Sequence, residues 1–594
     1  MTGDCLRVAN CSGFYGDRLS AAREMVTGGP IDVLTGDYLA ELTMFLLYKA
    51  RQRPGGVGYA RTFLTQMEQV LGTCLDRGIK VVANAGGLDP AALAADLGAL
   101  TERLGLTARI AHIEGDDLSG RLGDLRAAGH EFRHLDTGQP LASLDRPVAT
   151  ANAYLGAWGI ADALTAGADI VVCPRVTDAS LVVGPAAWRF GWRRDDWDRL
   201  AGTVAAGHVI ECGPQATGGN YALLDEPRAP GLPGFPLAEI YADGSAVITK
   251  HPGTGGMVSV GTVTAQLLYE IGSARYFNPD VVARFDTVQL EPAGPDRVRM
   301  YGTRGEPAPD QLKVCINYSG GYRNTMTFVL TGLDIKEKAA MAERDLFTAL
   351  GGADQYDSVD VQLIRTDRPD PRTNDEASAQ LRVTVKDSDA RKAGRRFSGA
   401  VVELALSSYP GFYLTSAPSR ESEYAVYWPS TLPADEVTQV VVRPDGTRTV
   451  VPPTPSAPGP ALTVPVPAGP LPDPAGALNR VPLGRAFGAR SGDKGGNANL
   501  GVWARSAVGY AWLTRELTAD RLASLLPELK ELEITRHEFP AMLAVNFIIT
   551  GLLGEGVASS ARPDAQAKSL GEFLRARVIE LPESLLAPSA PPSG

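Results

Sequence analysis

Four short apolar runs in the first third of the chain each give way to a polar, turn-rich loop. The runs are Leu6–Ala9, Ile31–Leu34, Ile79–Ala83 and Asp169–Cys173. The loops are Asn10–Asp17, Thr35–Asp37, Asn84–Gly87 and Pro174–Asp178. Helical patterns lie between them, at Ser20–Val26, Asp37–Lys49, Ala60–Arg77, Ala91–Leu104 and Thr150–Ala166. Asp89 before Pro90 marks a helix start, Asp as N-cap and Pro in the first turn. Ala108–Ile113 reads as a further strand. Strands alternating with helices are how a parallel sheet is written, because parallel neighbours need crossover connections. Loops at the carboxyl ends of such strands share one edge, and ligands bind there. The pattern predicts an α/β fold in which four separated segments converge on one polar site.

From about Ala201 the pattern changes. Strand-like runs dominate: His208–Glu211, Ala246–Ile248, Val281–Leu290, Arg297–Tyr301 and Gln311–Tyr318. Gly loops at Gly213–Asn220 and Pro252–Gly256 interrupt them, and helical patterns return at Lys336–Leu350 and Ala390–Leu406. Residues 1–450 thus read as one large α/β region with a soft internal boundary near 200. Residues 451–478 are dense in Pro, which suits neither helix nor central strand, and read as a semi-rigid linker. Residues 479–582 carry strand patterns at Leu483–Phe487, Ala498–Trp503, Leu532–His537 and Ala544–Thr550, with helices near Leu517–Leu526 and Gln566–Val578. Two βαβ-like units there would make a small ferredoxin-like α+β domain. The Pro/Ser-rich residues 583–594 are expected to be disordered.

Composition narrows the function. A formal net charge of −11 over 594 residues disfavours nucleic acid and anionic membrane surfaces as partners. No basic segment with an apolar core opens the sequence, and no run of transmembrane length follows. A cytoplasmic protein with reduced thiols is expected. The six cysteines form no C-x-x-C pair, and His112, His130 and His134 lack zinc-ligand spacing, so no metal site is predicted. Carboxylate-held Mg²⁺ leaves little spacing signature either way. Gly55-Gly-Val-Gly58 is an incomplete dinucleotide fingerprint and no P-loop occurs, so neither NAD nor ATP has a motif. The cofactor is left unspecified, and the expected partner is a small-molecule substrate. A homo-oligomer is compatible with the sequence.

Several polar residues after strands are candidates for chemistry. Asp37 is either the N-cap of the next helix or a site carboxylate. Asn84 and the two glycines after Ala85 offer an amide and accessible backbone N–H groups. Arg175 can clamp a carboxylate or phosphate, with Thr177 and Asp178 beside it; Asp178 is a base or the arginine's partner. In Glu211-Cys-Gly-Pro-Gln-Ala-Thr-Gly-Gly-Asn220, Glu211 is a general acid/base candidate and Cys212 a nucleophile candidate. A strand there would put His208 and Glu211 on opposite faces, leaving His251 as a distant helper for the thiol. Gln215 and Asn220 are binding candidates in the same motif. Gly488–Asn499 reads as a loop between strands, with Arg490, Ser491, Lys494 and Asn497 forming an anion nest or a lid. A long hairpin is its plainer explanation.

Together these motifs resemble one family. Leu6–Asp17, Asp32–Glu41, Cys173–Asp178, Glu211–Asn220 and Arg490–Asn497 look like the acyclic terpene utilisation AtuA family. The resemblance implies a large AtuA domain followed by a ferredoxin-fold domain. It also implies an association with catabolism of terpenes through acyl-CoA intermediates, so a CoA thioester is a candidate substrate. The expected activity is lyase or hydratase chemistry on a branched or isoprenoid acyl-CoA or related carboxylate. Asp37, Asp178 and Glu211 are its acid/base candidates, and Arg175 is the anchor. The alternatives are a Cys212-dependent hydrolase or acyltransferase, and a non-catalytic partner of an acyl-CoA carboxylase complex.

Overall fold

The computed structural model describes residues 5–456, 462 and 470–586. The chain divides into two compact units. The first holds the described residues up to Asn317, then Tyr427–Val557 and those from Asp564 onward; the second holds Tyr318–Val426 and Ala558–Pro563. No break falls near residue 200, because one sheet takes strands from both sides of it.

The first eight strands are β1 (Leu6–Asn10), β2 (Val33–Gly36), β3 (Lys80–Ala83), β4 (Ile110–Glu114), β5 (Val148–Ala153), β6 (Ile170–Val172), β7 (Pro236–Ile240) and β8 (Ala246–Lys250). The order β1-β2-β3-β6-β4 is parallel throughout. Antiparallel strands extend this core on both sides. β7, β8, Arg297–Tyr301 and Gln289–Pro292 follow β1; Gln439–Val442 and Arg448–Val451 follow β4. Central strands such as β2 and β6 are buried along their whole length, so they read as unbroken apolar runs rather than alternation. The helix Arg61–Arg77 covers one face. Phe63, Met67, Val70, Leu71 and Cys74 recur at helical spacing and pack with Leu34, Val81 and Val172. That helix ends at Gly78, whose φ of 69° is left-handed and whose N–H caps the Cys74 and Leu75 carbonyls.

Several elements differ from the sequence expectation. Thr150–Ala166 is not one helix: its start belongs to β5, and only Trp158–Thr165 is helical. His208–Glu211 is not a strand but the last turn of the helix Trp197–Glu211. Every residue from Leu200 to Glu211 is buried, so this helix has no polar face to reveal its period. Val281–Leu290 splits into Val282–Arg284 and the start of Gln289–Pro292, in different sheets. Ala390–Leu406 is interrupted at Gly394, whose ψ of −118° is not helical.

The C-terminal part of the first unit contains a four-stranded antiparallel sheet, ordered Phe487–Lys494, Asn497–Ala504, Ala544–Ile549, Ile534–Phe539. Its strands come as two hairpins rather than the two expected βαβ units. Helices Ala507–Glu516, Ala519–Leu525 and Leu570–Ala576 supply Tyr510, Leu513, Leu522 and Leu574 to its core. The stretch expected to be a loop, Gly488–Asn499, is mostly strand, turning only at Gly495-Gly496. Glu583–Leu585 is a short 3₁₀ turn with Leu585 buried, not part of a disordered tail. The rest of that tail, 587–594, lies outside the described residues, as do 457–461 and 463–469 of the expected linker.

In the second unit, Ser378–Asp387 pairs antiparallel with Ser358–Ile364 and with Tyr322–Thr331. The helix Ile335–Leu350 lays Ile335, Ala339, Ala342, Leu346 and Leu350 along one stripe, packed with Phe328, Leu381 and Val383.

Candidate active site

Backbone and side-chain hydrogen bonds tie the four strand-end loops into one edge. The Asp37 N–H donates to the Ser12 carbonyl at 3.0 Å, and the Gly86 N–H to the Cys173 carbonyl at 3.0 Å. Asn84, fully buried, bridges two loops: its Nδ2 donates to Asp37 Oδ1 at 2.5 Å, and its Oδ1 accepts from the Tyr38 N–H at 2.7 Å. Asp37 is therefore not an N-cap. The helix begins only at Glu41, and the carboxylate of Asp37 faces the edge. Asn10 Nδ2 donates to the Ile210 and Glu211 carbonyls at 2.6 and 2.9 Å. It thereby satisfies orphan carbonyls at the end of the helix Trp197–Glu211 and fixes Glu211 beside β1.

Arg175 is the centre of the edge. It is 2% exposed, and its guanidinium donates to the Leu39 carbonyl (2.8 Å), Asp178 Oδ1 (3.2 Å) and the Tyr154 hydroxyl (3.1 Å). Its Nε is buried without a partner among the described residues. Behind it, Asp116 Oδ2 accepts from the Arg175 N–H at 3.2 Å and from Asn152 Nδ2 at 2.8 Å. The Tyr154 hydroxyl donates in turn to Glu41 Oε1 at 2.9 Å, and Lys313 Nζ reaches the same oxygen at 3.3 Å. The residue just past β5 brings the two together, since the Tyr154 N–H donates to the Lys313 carbonyl at 2.9 Å.

Helical spacing puts His208 and Glu211 on one face. His208 Nδ1 lies 3.0 Å from Glu211 Oε1, while Glu211 Oε2 and both ring nitrogens lack well-directed hydrogen bonds. His208 packs against the Tyr276 and Phe285 rings, centroids 5.0 and 5.3 Å away. Unsatisfied buried polar groups are uncommon and call for a reason.

The carboxyls respond to this environment in two ways. Burial, and then the negative charge of Asp178, push Asp37 and Glu211 well above the usual carboxylate range. Burial also raises Asp178, against the pull of Arg175, although 26% of its side chain is exposed. For Glu41, burial opposes ionisation, but Lys313 and then Arg175 hold its carboxyl well below that range. Burial lowers His208 to about 4, helped by Lys494, so the imidazole is neutral at pH 7. Carboxyls pushed above the usual range and one held below it thus occupy the same site, the kind of separation acid/base chemistry uses.

The C-terminal sheet forms another wall. Arg490 donates to Gln215 Oε1, and its guanidinium lies 4.2 Å from the Tyr269 ring centroid. Asn499 accepts from the Glu270 N–H at 2.8 Å and donates to the Leu268 carbonyl at 2.5 Å. A side chain at Gly492 would meet the Tyr269 ring at 2.3 Å, which explains one glycine of this strand. Lys494 projects its charge toward Glu270, Glu41 and Glu211. Burial, then Glu270 and Glu41, push Asp493 up to about 8.

Other sequence candidates lie elsewhere or have structural partners. His251 Nε2 is 2.9 Å from the Met25 carbonyl, and its ring packs on Gly28 and Gly29. Asn220 is exposed with φ 56°, a left-handed turn position that suits Asn. Asn497 bonds Asp136 at 2.7 Å and accepts from the Gly551 N–H. Ser491 Oγ accepts from the Gly571 N–H at 2.9 Å, and Thr177 Oγ1 lies 2.6 Å from Ser180 Oγ. Cys212 adjoins Glu211, but burial, then Glu270 and Glu211, hold its thiol well above its ordinary range.

The structure also adds Glu41, Tyr154, Glu270, Tyr276 and Lys313, which no spacing pointed to. Glu41 ends one of the quoted motifs, the only signal available for it. Among the described residues no group of three or more His, Cys, Asp or Glu is arranged to hold a metal ion, and no helix is long and apolar enough to cross a membrane. A separate cavity of about 30 Å³ beside Trp158, Arg194 and Asp280 contains none of the clustered carboxylates. It has room for about one water and not for an acyl chain.

A family model described as acyclic terpene utilisation family protein AtuA matches residues 6–443. A second, described as the AtuA ferredoxin-like domain, matches residues 481–580. No curated relative matches the chain.

Proposed function

Because the chain belongs to the acyclic terpene utilisation AtuA family, we propose that it is an enzyme acting on a branched or isoprenoid acyl-CoA or related carboxylate by lyase or hydratase chemistry. The observation that carries this reading is the group of buried Arg175, Glu211 and His208 with the partly exposed Asp178, in which Glu211 retains a hydrogen-bond-free oxygen. Glu211, whose carboxyl burial pushes well above the usual range, acts as the general acid, and Asp178, steadied by Arg175, acts as the base. Asp37 and Asn84 position this edge. Arg175 anchors a carboxylate or thioester oxygen through its unpartnered Nε. The electrostatics oppose the Cys212 route, since a nucleophilic thiol needs a lowered pKa or an adjacent base with room to act.

The test is turnover of a panel of branched and isoprenoid acyl-CoA esters, read by product mass. Asp178→Asn and Glu211→Gln should each abolish it while the thermal midpoint stays within a few degrees. Full activity in both variants would overturn the assignment. Cys212→Ser should retain turnover, and its loss would restore the thiol reading.

A further inference from the structure

His208 touches the proposed acid, yet the acid/base reading gives it no task. Both residues lie in the last turn of the helix Trp197–Glu211, three positions apart, so they share a face. His208 is 1% exposed, and its Nδ1 lies 3.0 Å from Glu211 Oε1. Aromatic packing holds the ring there. Tyr276 and Phe285, themselves stacked at 4.7 Å, close on it at 5.0 and 5.3 Å between centroids. Those two rings come from neighbouring backbone: Arg275–Phe277 pairs antiparallel with Val282–Arg284, which leads directly into Phe285. The helix is also seated on the loop that carries Asp178. A side chain at Gly207 would meet the Cα of Ala179, the residue after Asp178, at 2.9 Å, so this glycine lets the helix of the acid approach the loop of the base. Glu211 therefore sets one oxygen against the ring nitrogen, while the other, Oε2, is buried without a hydrogen bond among the described residues. A buried polar atom in that state calls for a reason.

We propose that His208 is the positioning residue of the acid: its Nδ1–H donates to Glu211 Oε1, so that the transferable proton is carried on Oε2. This rests on Glu211 being the acid of the site, and it names what orients that carboxyl. In the opposite arrangement Glu211 would donate from Oε1 to an unprotonated Nδ1, and its proton would be turned away from the substrate. The contact is close but poorly directed, as catalytic pairs often are until substrate engages them. When the Oε2–H bond breaks, the proton goes to the substrate and the electron pair stays on the carboxyl. The Nδ1–H···Oε1 bond then becomes charge-assisted and roughly twice as strong. That gain arises only as the proton leaves, so it speeds the step rather than tightening substrate binding. The ring itself gives up no proton, and burial keeps it neutral at pH 7.

The experiment has two arms, both on the full-length protein. In the first, the histidine ring nitrogens are labelled with ¹⁵N and read by NMR at pH 7, the His208 signals being identified by their loss in His208→Asn. A neutral ring protonated at Nδ1 is expected, with its Nδ1 signal displaced in Glu211→Gln. A ring protonated at Nε2 or at both nitrogens, or an Nδ1 signal indifferent to Glu211→Gln, would overturn the inference whether or not any ester is turned over. The second arm measures turnover of the acyl-CoA panel. His208→Phe fills the place of the ring without its nitrogens and should lower kcat at least about tenfold while KM stays within about threefold. His208→Asn keeps an N–H donor near the Nδ1 position and should recover most of that loss, a rescue that packing alone would not give. An unchanged kcat in His208→Phe, or no rescue by His208→Asn, would remove the role. The two readings fail separately. If His208→Phe keeps full turnover while Asp178→Asn and Glu211→Gln lose it, the positioning role is wrong and the acid/base site stands. Undiminished turnover in both carboxyl variants, with the expected NMR signature, removes the acid/base assignment and leaves His208 a structural partner of Glu211.

Discussion

The two ends of β6 carry the same residue type to opposite effect. Asp169 precedes the strand and Asp178 follows it by one short loop. At the amino end, Asp169 accepts from Lys80 Nζ at 2.9 Å and from the Arg109 guanidinium at 3.1 and 2.9 Å. Burial works against ionisation there, but the bonds from Arg109 and Lys80 hold the carboxyl well below its usual range. At the carboxyl end, the cation bonded to Asp178 is Arg175, whose guanidinium is shared with Tyr154 and Leu39, while Lys494 and Lys313 act on it only through space. There burial wins and the carboxyl is raised. One end of the sheet has its charges satisfied and serves stability; the other holds more carboxyls than partners and is suited to moving protons.

The sharpest way to break this contrast is to exchange the two carboxyls for amides. Asp178→Asn is expected to cost about 10²–10⁴ in kcat/KM, the usual worth of a positioned acid or base, with the fold unchanged. Asp169→Asn should leave kcat/KM intact. A reversed pattern in steady-state kinetics would place the chemistry at the wrong end.

Stability should respond in the opposite order. Asp169→Asn leaves Lys80 and Arg109 poorly matched and is expected to cost about 1–2 kcal/mol in urea unfolding, because Arg109 is more than half exposed and screened. Asp178→Asn should cost less, since it removes a carboxyl that burial already disfavours.

The pH dependence separates the ends by sign. Asp169 has a depressed folded-state pKa, so its contribution is present above the ordinary Asp range and lost as pH falls through and below it. Asp116, behind Arg175, is pushed up to about 7 by burial. Its folded state binds the proton more tightly, so the stability this proton provides is full below the ordinary Asp range and lost as pH rises toward 7. Unfolding free energy measured from pH 4 to 7 should therefore decline less steeply with rising pH in Asp116→Asn than in the unsubstituted protein. An unchanged slope would show that Asp116 is ionised throughout.

The smallest effect is expected at Asn220. Glycine suits its left-handed backbone, so Asn220→Gly should change stability by less than about 1 kcal/mol and leave turnover unchanged. A large loss of activity would return Asn220 to the site.

Much of the scaffold could be read directly. The runs ending at Ala9, Leu34, Ala83 and Cys173 gave strands within a few residues, and the polar loops after them do share one edge. Asp89 does cap its helix, accepting from the Ala92 N–H at 3.1 Å. The clustering of Asp37, Asn84, Arg175 and Asp178 follows from that parallel order, whereas Glu211 is brought in by the end of the helix Trp197–Glu211, held to β1 by Asn10. What misled was local: His208-Val-Ile-Glu211 looks like a strand only because the helix it ends is buried on every side. Reading it as a strand separated the histidine from the glutamate that the i, i+3 spacing joins. Likewise the glycines of Gly488–Asn499 suggested a loop, whereas Gly492 lies in a paired strand and is glycine because the Tyr269 ring leaves no room for a side chain.

The sequence by itself determined the parallel core, the helix boundaries marked by caps, and the edge at which polar groups gather. These depend on apolar period and turn chemistry, which are properties of neighbouring residues. Tertiary structure alone decided which carboxyls are pushed above their usual range and which below it, that burial raises the Cys212 thiol, and that Glu41, Lys313 and Lys494 belong to one electrostatic group. Those outcomes depend on burial and on charges tens to hundreds of residues apart, and neither is written in any local pattern.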